Sequence, residues 1–161
     1  MNVLIVEDND DKCRQLVEFI RSEFVDISLQ ETFSYNSGLH AIRDTSPDVV
    51  ILDMSMSTFD RHAGQSGGRK RPFAGRDIFQ EIKRLELGTL AIVVTQYSTF
   101  GDKGNRRSLA ELTAELDSDF PTHHVGTVYY HPSRSDWRVA LARLLRRVGA
   151  TPQNPKRKEK S

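Results

Sequence analysis

PDVVILDMSMS, residues 47–57, contains an unbroken apolar run, Val49–Leu52, that ends abruptly in a carboxylate, Asp53. Four consecutive apolar residues entered through Ser46-Pro47 are too few for a helix. They read instead as a strand buried on both faces, the pattern of a parallel sheet. The proline breaks whatever helix precedes it. Similar runs recur on either side: VLIV at 3–6, LAIVV at 90–94 and VGTVYY at 125–130, with Ile27 and Leu29 alternating in a more exposed strand. Between them lie helical spacings. Cys13, Leu16, Val17, Ile20 and Phe24 form one, with Asn9 or Asp10 as its cap. A second helix spans 35–43 behind Ser34. A third carries Ile78, Phe79, Ile82 and Leu85, and a fourth Leu109, Leu112 and Leu116. The last, over 135–148, turns Trp137, Leu141, Leu144, Leu145 and Val148 inward and its arginines outward. Five strands alternating with five helices predict an α/β protein, a doubly wound five-stranded parallel sheet with right-handed crossovers and helices on both faces. In such a sheet the site lies beyond the carboxyl ends of the strands.

Composition narrows the classes. The chain has 161 residues, enough for one domain with a sizeable core, and a net charge of +1 gives no global field toward nucleic acid or membrane. One cysteine, Cys13, excludes an internal disulfide framework, suits a reducing cytoplasm and reads as a small core residue. MNVLIVEDND lacks the basic start of a signal peptide, and no apolar stretch approaches the roughly 20 residues of a membrane span. A cytoplasmic single domain is expected over 1–148, followed by a basic, disordered tail over 149–161.

The strand ends carry the chemistry. Glu7 and Asp8 follow the first strand, Asp53 the third, Thr95 the fourth and His131-Pro132 the fifth. Two unit charges about 4 Å apart at an effective dielectric near 20 repel by about 4 kcal/mol. Converging acids therefore call for a proton or a hard cation, and oxygen-only ligands suit Mg²⁺. Singly, each residue has a plainer reading. Glu7 and Asp8 could be solvated acids at a helix N-terminus, and Thr95 a β-branched strand end. Flavin or nucleotide binding fits poorly, because EDNDD would repel an anion. GQSGGRK misses the Walker spacing, and Ser55 stands where a dehalogenase-type phosphatase needs a second acid.

In combination, VLIVEDN, PDVVILDMSM, AIVVT and the last strand before His131-Pro132 resemble the receiver domain of bacterial two-component response regulators, a flavodoxin-like (CheY-like) fold. The resemblance covers about residues 1–148. It implies that Asp53 accepts a phosphoryl group from a phosphohistidine in a sensor histidine kinase or phosphotransfer protein. It also implies Mg²⁺ held by Asp8, Asp53 and the backbone carbonyl of Ser55, with Glu7 acting through a metal-bound water. Thr95 would hydrogen-bond the phosphoryl oxygen. The protein would then be a self-phosphorylating acceptor rather than an ordinary enzyme.

Departures from the family pattern are specific. His131 occupies the place of the usual lysine; it is expected either to replace that lysine as a pH-dependent donor or merely to cap its loop. Gln96 replaces a small residue and, with Tyr97, would narrow access. The switch aromatic falls at Val128, and Ser57 takes a common proline's place. Segments 54–74 and 98–122 exceed family norms, as tolerated insertions or as a docking surface bearing Arg69, Lys70 and Arg71. His62, His123 and His124 lack a zinc pattern.

The residues after Val148 are too few for a DNA-binding output domain. Output is therefore expected through a separate effector protein, with no nucleic acid or membrane partner. A homodimer through the fourth and fifth helices is the family's habit, here with a remodelled fourth. The competing expectation is a pseudo-receiver, an interaction module without phosphotransfer.

Overall fold

A computed structural model describes residues 1–62 and 66–154. Its strands and helices, in chain order, are β1 Asn2–Val6, α1 Asp10–Glu23, β2 Ser28–Thr32, α2 Tyr35–Thr45, β3 Val49–Leu52, β4 Met56–Ser57 and β5 Lys70–Arg71. There follow α3 Ala74–Arg84, β6 Leu90–Thr95, β7 Thr99–Phe100, β8 Arg107–Ser108, α4 Leu109–Asp119, β9 His124–Tyr129 and α5 Asp136–Arg147. The main sheet is wholly parallel in the order β2-β1-β3-β6-β9. Strand order reverses beside β1, so the crevice of the fold opens at the carboxyl ends of β1 and β3.

The alternation of strand side chains divides the core in two. Val3, Ile5, Ile51, Ile92 and Val94 face α1 and α5, where Cys13, Leu16, Ile20, Trp137, Leu141 and Leu145 meet them. Leu4, Val6, Val50, Leu52 and Val93 face α2, α3 and α4 through Ile42, Ile78, Phe79, Ile82, Leu112 and Leu116. β1 and β3 are buried on both faces because each face is covered by helices, which explains their unbroken apolar runs.

Local signals place the helices. The Asn9 side chain accepts from the Lys12 N–H at 2.9 Å, and Ser34 closes a reciprocal capping box with Ser37. The buried Cys13 thiol is pushed up to about 12 by burial and by the nearby Glu31 carboxylate.

Three expectations are corrected. Segment 54–74 is not wholly irregular: β4 and β5 pair antiparallel, Met56 with Arg71 and Ser57 with Lys70. Likewise β7 and β8 form a hairpin within the second long segment. The chain after Val148 is not all tail either. Thr151 O accepts from the Val25 N–H, the Gln153 N–H donates to Glu23 O, and Thr151 donates to Asp26 through both its N–H and its hydroxyl. Residues 149–154 thus finish the fold along the end of α1. Residues 155–161, the basic part of the expected tail, lie outside the described residues, as do 63–65 of the first insertion. Among the described residues no helix is long and apolar enough to cross a membrane.

Arg43 of α2 and Arg84 of α3 both hold Glu81 Oε1, at 2.7 and 2.6 Å. Hydrogen bonds from Arg84 first, then Arg43, depress the Glu81 carboxyl to about 2. A depressed folded-state value stabilises above the unfolded value near 4.5 and is lost as pH falls toward 2. Glu81→Gln is therefore expected to lower the urea midpoint at pH 7 and to match the wild type near pH 2. Both arginines are substantially exposed, so the difference should stay under about 1 kcal/mol. A constant difference from pH 7 to pH 2 would contradict this assignment.

Candidate functional site

Three loops converge where β1 and β3 end. Glu7 and Asp8 leave β1 immediately before α1, and Asp53 leaves β3; the Asp53 N–H still donates to Val6 O at 3.3 Å, fixing the two strand ends side by side. Glu7 and Asp53 are 2% and 3% exposed, which no unpaired carboxylate tolerates. Asp53 Oδ1 accepts from the Met54 N–H at 2.6 Å. Asp8 is less buried, and its Oδ2 accepts from the Ser57 N–H at 2.8 Å and hydroxyl at 3.0 Å, which fastens the β4–β5 hairpin to the acidic pair.

The countercharge is a residue that strand-end reasoning did not select. Lys12, 1% exposed in the first turn of α1, sets its Nζ 2.9 Å from Asp53 Oδ2, 2.5 Å from Glu7 Oε2 and 2.7 Å from Val94 O. All three ammonium protons are used. Burial acts to lower the Lys12 pKa, but the Asp53 and Glu7 charges outweigh it and hold the value above the ordinary lysine range. One cation then serves two buried carboxylates. The remaining imbalance falls on Glu7, which burial raises to about 7 against the pull of Lys12, with Asp53 adding to the rise. A sequence signal for Lys12 existed. It lies four residues before Leu16 and eight before Ile20, on the buried stripe of α1, where a solvated lysine has no place.

A cavity of about 70 Å³ opens over the carboxylates, lined by Glu7, Asp8, Asn9, Asp53, Arg61, Lys70, Gln96 and Tyr97. Its volume is that of about two waters at roughly 30 Å³ each, so it admits a small ion or one tetrahedral group but no nucleotide. Lys70 of β5 donates to the Tyr97 hydroxyl at 3.1 Å, so the first insertion and the segment after β6 meet across the mouth. Burial acts to lower the Lys70 pKa, but the bond to Tyr97 and the charges of Asp8 and Asp53 raise it overall.

Other sequence candidates are placed differently. Thr95 is fully buried, its hydroxyl accepts from the Tyr97 N–H at 3.3 Å, and it does not line the cavity. Ser55 is buried beside Met54 and Met56. His131 is exposed and its Nδ1 accepts from the Ser133 N–H at 3.1 Å, the loop-capping arrangement; it does not line the cavity. Val128, at the switch-aromatic position, is buried in the core. His124 pairs with Asp117 at 2.6 Å and Thr127 at 3.1 Å, tying α4 to β9, while His123 contacts Thr89 O at 3.0 Å.

No family model matches the chain. The uncharacterized protein y4jR of Sinorhizobium fredii is 38% identical over 143 residues, covering 88% of this chain and 94% of that protein. The Detocs response regulatory protein DtcB of Enterobacter cloacae is 28% identical over 147 residues, 90% of this chain and 98% of that one. Among solved structures, a LuxR-family DNA-binding response regulator from Staphylococcus aureus superposes with a TM-score of 0.61 at 19% identity, covering 91% of this chain and 97% of the other. A response regulator receiver domain protein from Clostridium thermocellum gives 0.57 at 16% identity, covering 91% and 94%. At these identities the structural likenesses establish the fold.

Proposed function

We propose that the chain, which has the fold of response regulator receivers and is similar over nearly its whole length to the Detocs response regulatory protein DtcB, is a receiver of two-component signalling in which Asp53 accepts a phosphoryl group from a histidine kinase or phosphotransfer protein and passes the signal to an effector protein in the cytoplasm. The observation that carries this reading is the site itself: a buried Asp53 on a rigid strand end, beside two further acids, under a cavity sized for one phosphoryl group. In the transfer, an Asp53 carboxylate oxygen forms the new O–P bond while the P–N bond to the donor imidazole breaks. The imidazole keeps the electron pair and takes a proton. Such chemistry asks the protein for in-line positioning and charge neutralisation.

The donor set suits Mg²⁺. Asp8, Asp53 and the Ser55 carbonyl are hard oxygens, both bonds to Asp8 fall on a single oxygen, and the cavity leaves room for water. These residues would hold the ion, with Glu7 reaching it through water, and the ion would supply neutralisation of the transferring group. Thr95, buried beside the lining residues Gln96 and Tyr97, would sense the phosphoryl oxygen through a small shift of the segment carrying them. Gln96, Tyr97 and Lys70 restrict attack by bulk water and so favour a long-lived acyl phosphate.

A second reading, the pseudo-receiver, draws on one observation: both Asp53 oxygens are already bonded, to the Met54 N–H and to Lys12. The two readings separate on incubation with Mg²⁺ and acetyl phosphate. Wild type is expected to gain the mass of one phosphoryl group and Asp53→Asn none. No gain in the wild type, together with no response to beryllofluoride, would establish the pseudo-receiver instead.

A further inference from the structure

Phosphorylation would add negative charge to a site that already buries Glu7 and Asp53. The position after the fifth strand holds His131, which is exposed, accepts from the Ser133 N–H of its own loop and does not line the cavity. Two other cations line the cavity, yet Lys70 is spent on Tyr97 and Arg61 is exposed. Among the described residues, Lys12 is the cation in contact with the acceptor.

Its position breaks three local rules at once. It is a cation in the first turn of a helix, where the helix dipole disfavours positive charge. It lies on the apolar face, and it is almost wholly buried. Such a residue persists where its surroundings hold it charged, and here they do, through Glu7, Asp53, the Val94 carbonyl and the face of Tyr130, whose ring centroid is 5.6 Å from Nζ. The Tyr130 aromatic directly precedes His131, so the chain offers a ring at the end of β9 and brings the ammonium to it from α1.

We propose that Lys12, delivered by α1, is the catalytic cation of phosphoryl transfer at Asp53, in place of a cation from the loop after β9. This rests on the reading of Asp53 as acceptor. In the unphosphorylated protein Lys12 neutralises Glu7 and Asp53. As the O–P bond forms, its bond to Asp53 Oδ2 passes to a phosphoryl oxygen, while the bond to Val94 O keeps the ammonium fixed to β6. The residue after Val94 is Thr95, so the same ammonium links acceptor chemistry to the strand that leads to the cavity mouth.

The test compares wild type with Lys12→Met, a side chain of similar length without charge, using acetyl phosphate and Mg²⁺. Lys12→Met is expected to slow phosphorylation on the order of 10²-fold, the usual cost of removing one preorganised donor. Its Mg²⁺ affinity, measured by calorimetry, should equal or exceed that of wild type, because the acids keep their positions and lose a competing cation. A wild-type rate would overturn the proposal. So would parallel losses of rate and Mg²⁺ affinity, which mark a merely structural residue. A measurement on the unaltered protein covers a variant that fails to fold: the ¹⁵N-lysine ammonium signal of Lys12 should shift when beryllofluoride and Mg²⁺ are added, and an unmoved signal would overturn the proposal. If wild type takes up neither phosphoryl group nor beryllofluoride, the acceptor reading falls and this proposal with it. If wild type is phosphorylated and Lys12→Met matches it, this proposal falls alone.

Discussion

Trp137→Ala is expected to destabilise the protein by about 3–5 kcal/mol, the range for removing a buried tryptophan. Trp137 is 1% exposed and heads the fully buried side chains by volume. It meets Phe19 of α1 edge-on at 5.5 Å and Tyr130 at 5.3 Å, so it joins α5 both to α1 and to the end of β9. At roughly 2–4 °C per kcal/mol for a chain this size, the melting temperature should fall by about 6–20 °C. Calorimetric melting checks this. The indole Nε1 is buried without a hydrogen-bond partner among the described residues, so Trp137→Phe removes a donor that folding leaves unsatisfied. That variant is therefore expected to lose less than half as much. Equal losses in Trp137→Ala and Trp137→Phe would show that the Nε1 group is satisfied in solution.

Gly75→Val is expected to damage stability and site together. A Cβ at Gly75 would lie 2.7 Å from Leu52 Cδ1, 2.8 Å from Asp53 O and 2.9 Å from Met54 Cα. The Leu52 methyl could swing away; the other two atoms belong to the main chain that carries the acceptor. Gly75 also donates its N–H to Met54 O at 2.9 Å, so α3 cannot retreat without breaking that bond. Overpacking of this kind costs about 1–3 kcal/mol. The relief available is displacement of the backbone at Asp53, and a misplacement near 1 Å can cost on the order of 10² in rate. Urea unfolding and acetyl phosphate labelling, measured on the same preparation, should both show loss. Full reactivity in a destabilised Gly75→Val would mean that the strain relaxes through α3 instead.

Trp137 and Gly75 differ in how far the sequence alone reveals their roles. Trp137 is readable in the sequence, because its spacing to Leu141, Leu144 and Leu145 puts it on the inner stripe of a helix. Strand β3 is readable for a similar reason, and the structure begins and ends it at Val49 and Leu52. Gly75 is not readable, since its closeness to Asp53 depends on how α3 returns over the sheet. The hairpins β4–β5 and β7–β8 escaped as well; two-residue ladders are too short to show a period of two. Thr151 and Gln153 escaped because a polar composition resembles disorder, although their backbones pair with Glu23 and Val25.

By itself the sequence determined the parallel sheet and the acids at its mouth. A strand buried on both faces must be apolar throughout, and the first charge after it necessarily stands at the open edge. Glu7, Asp8 and Asp53 are tied to their strands by chain connectivity, so their convergence follows from strand order. Only the tertiary structure decided which cation answers them. Lys12 is 41 residues from Asp53, and the two meet because α1 packs its buried face against the sheet at one particular depth. That depth depends on the volumes of Leu16, Ile20, Trp137 and their neighbours acting together, a many-body quantity that no local pattern of residues encodes.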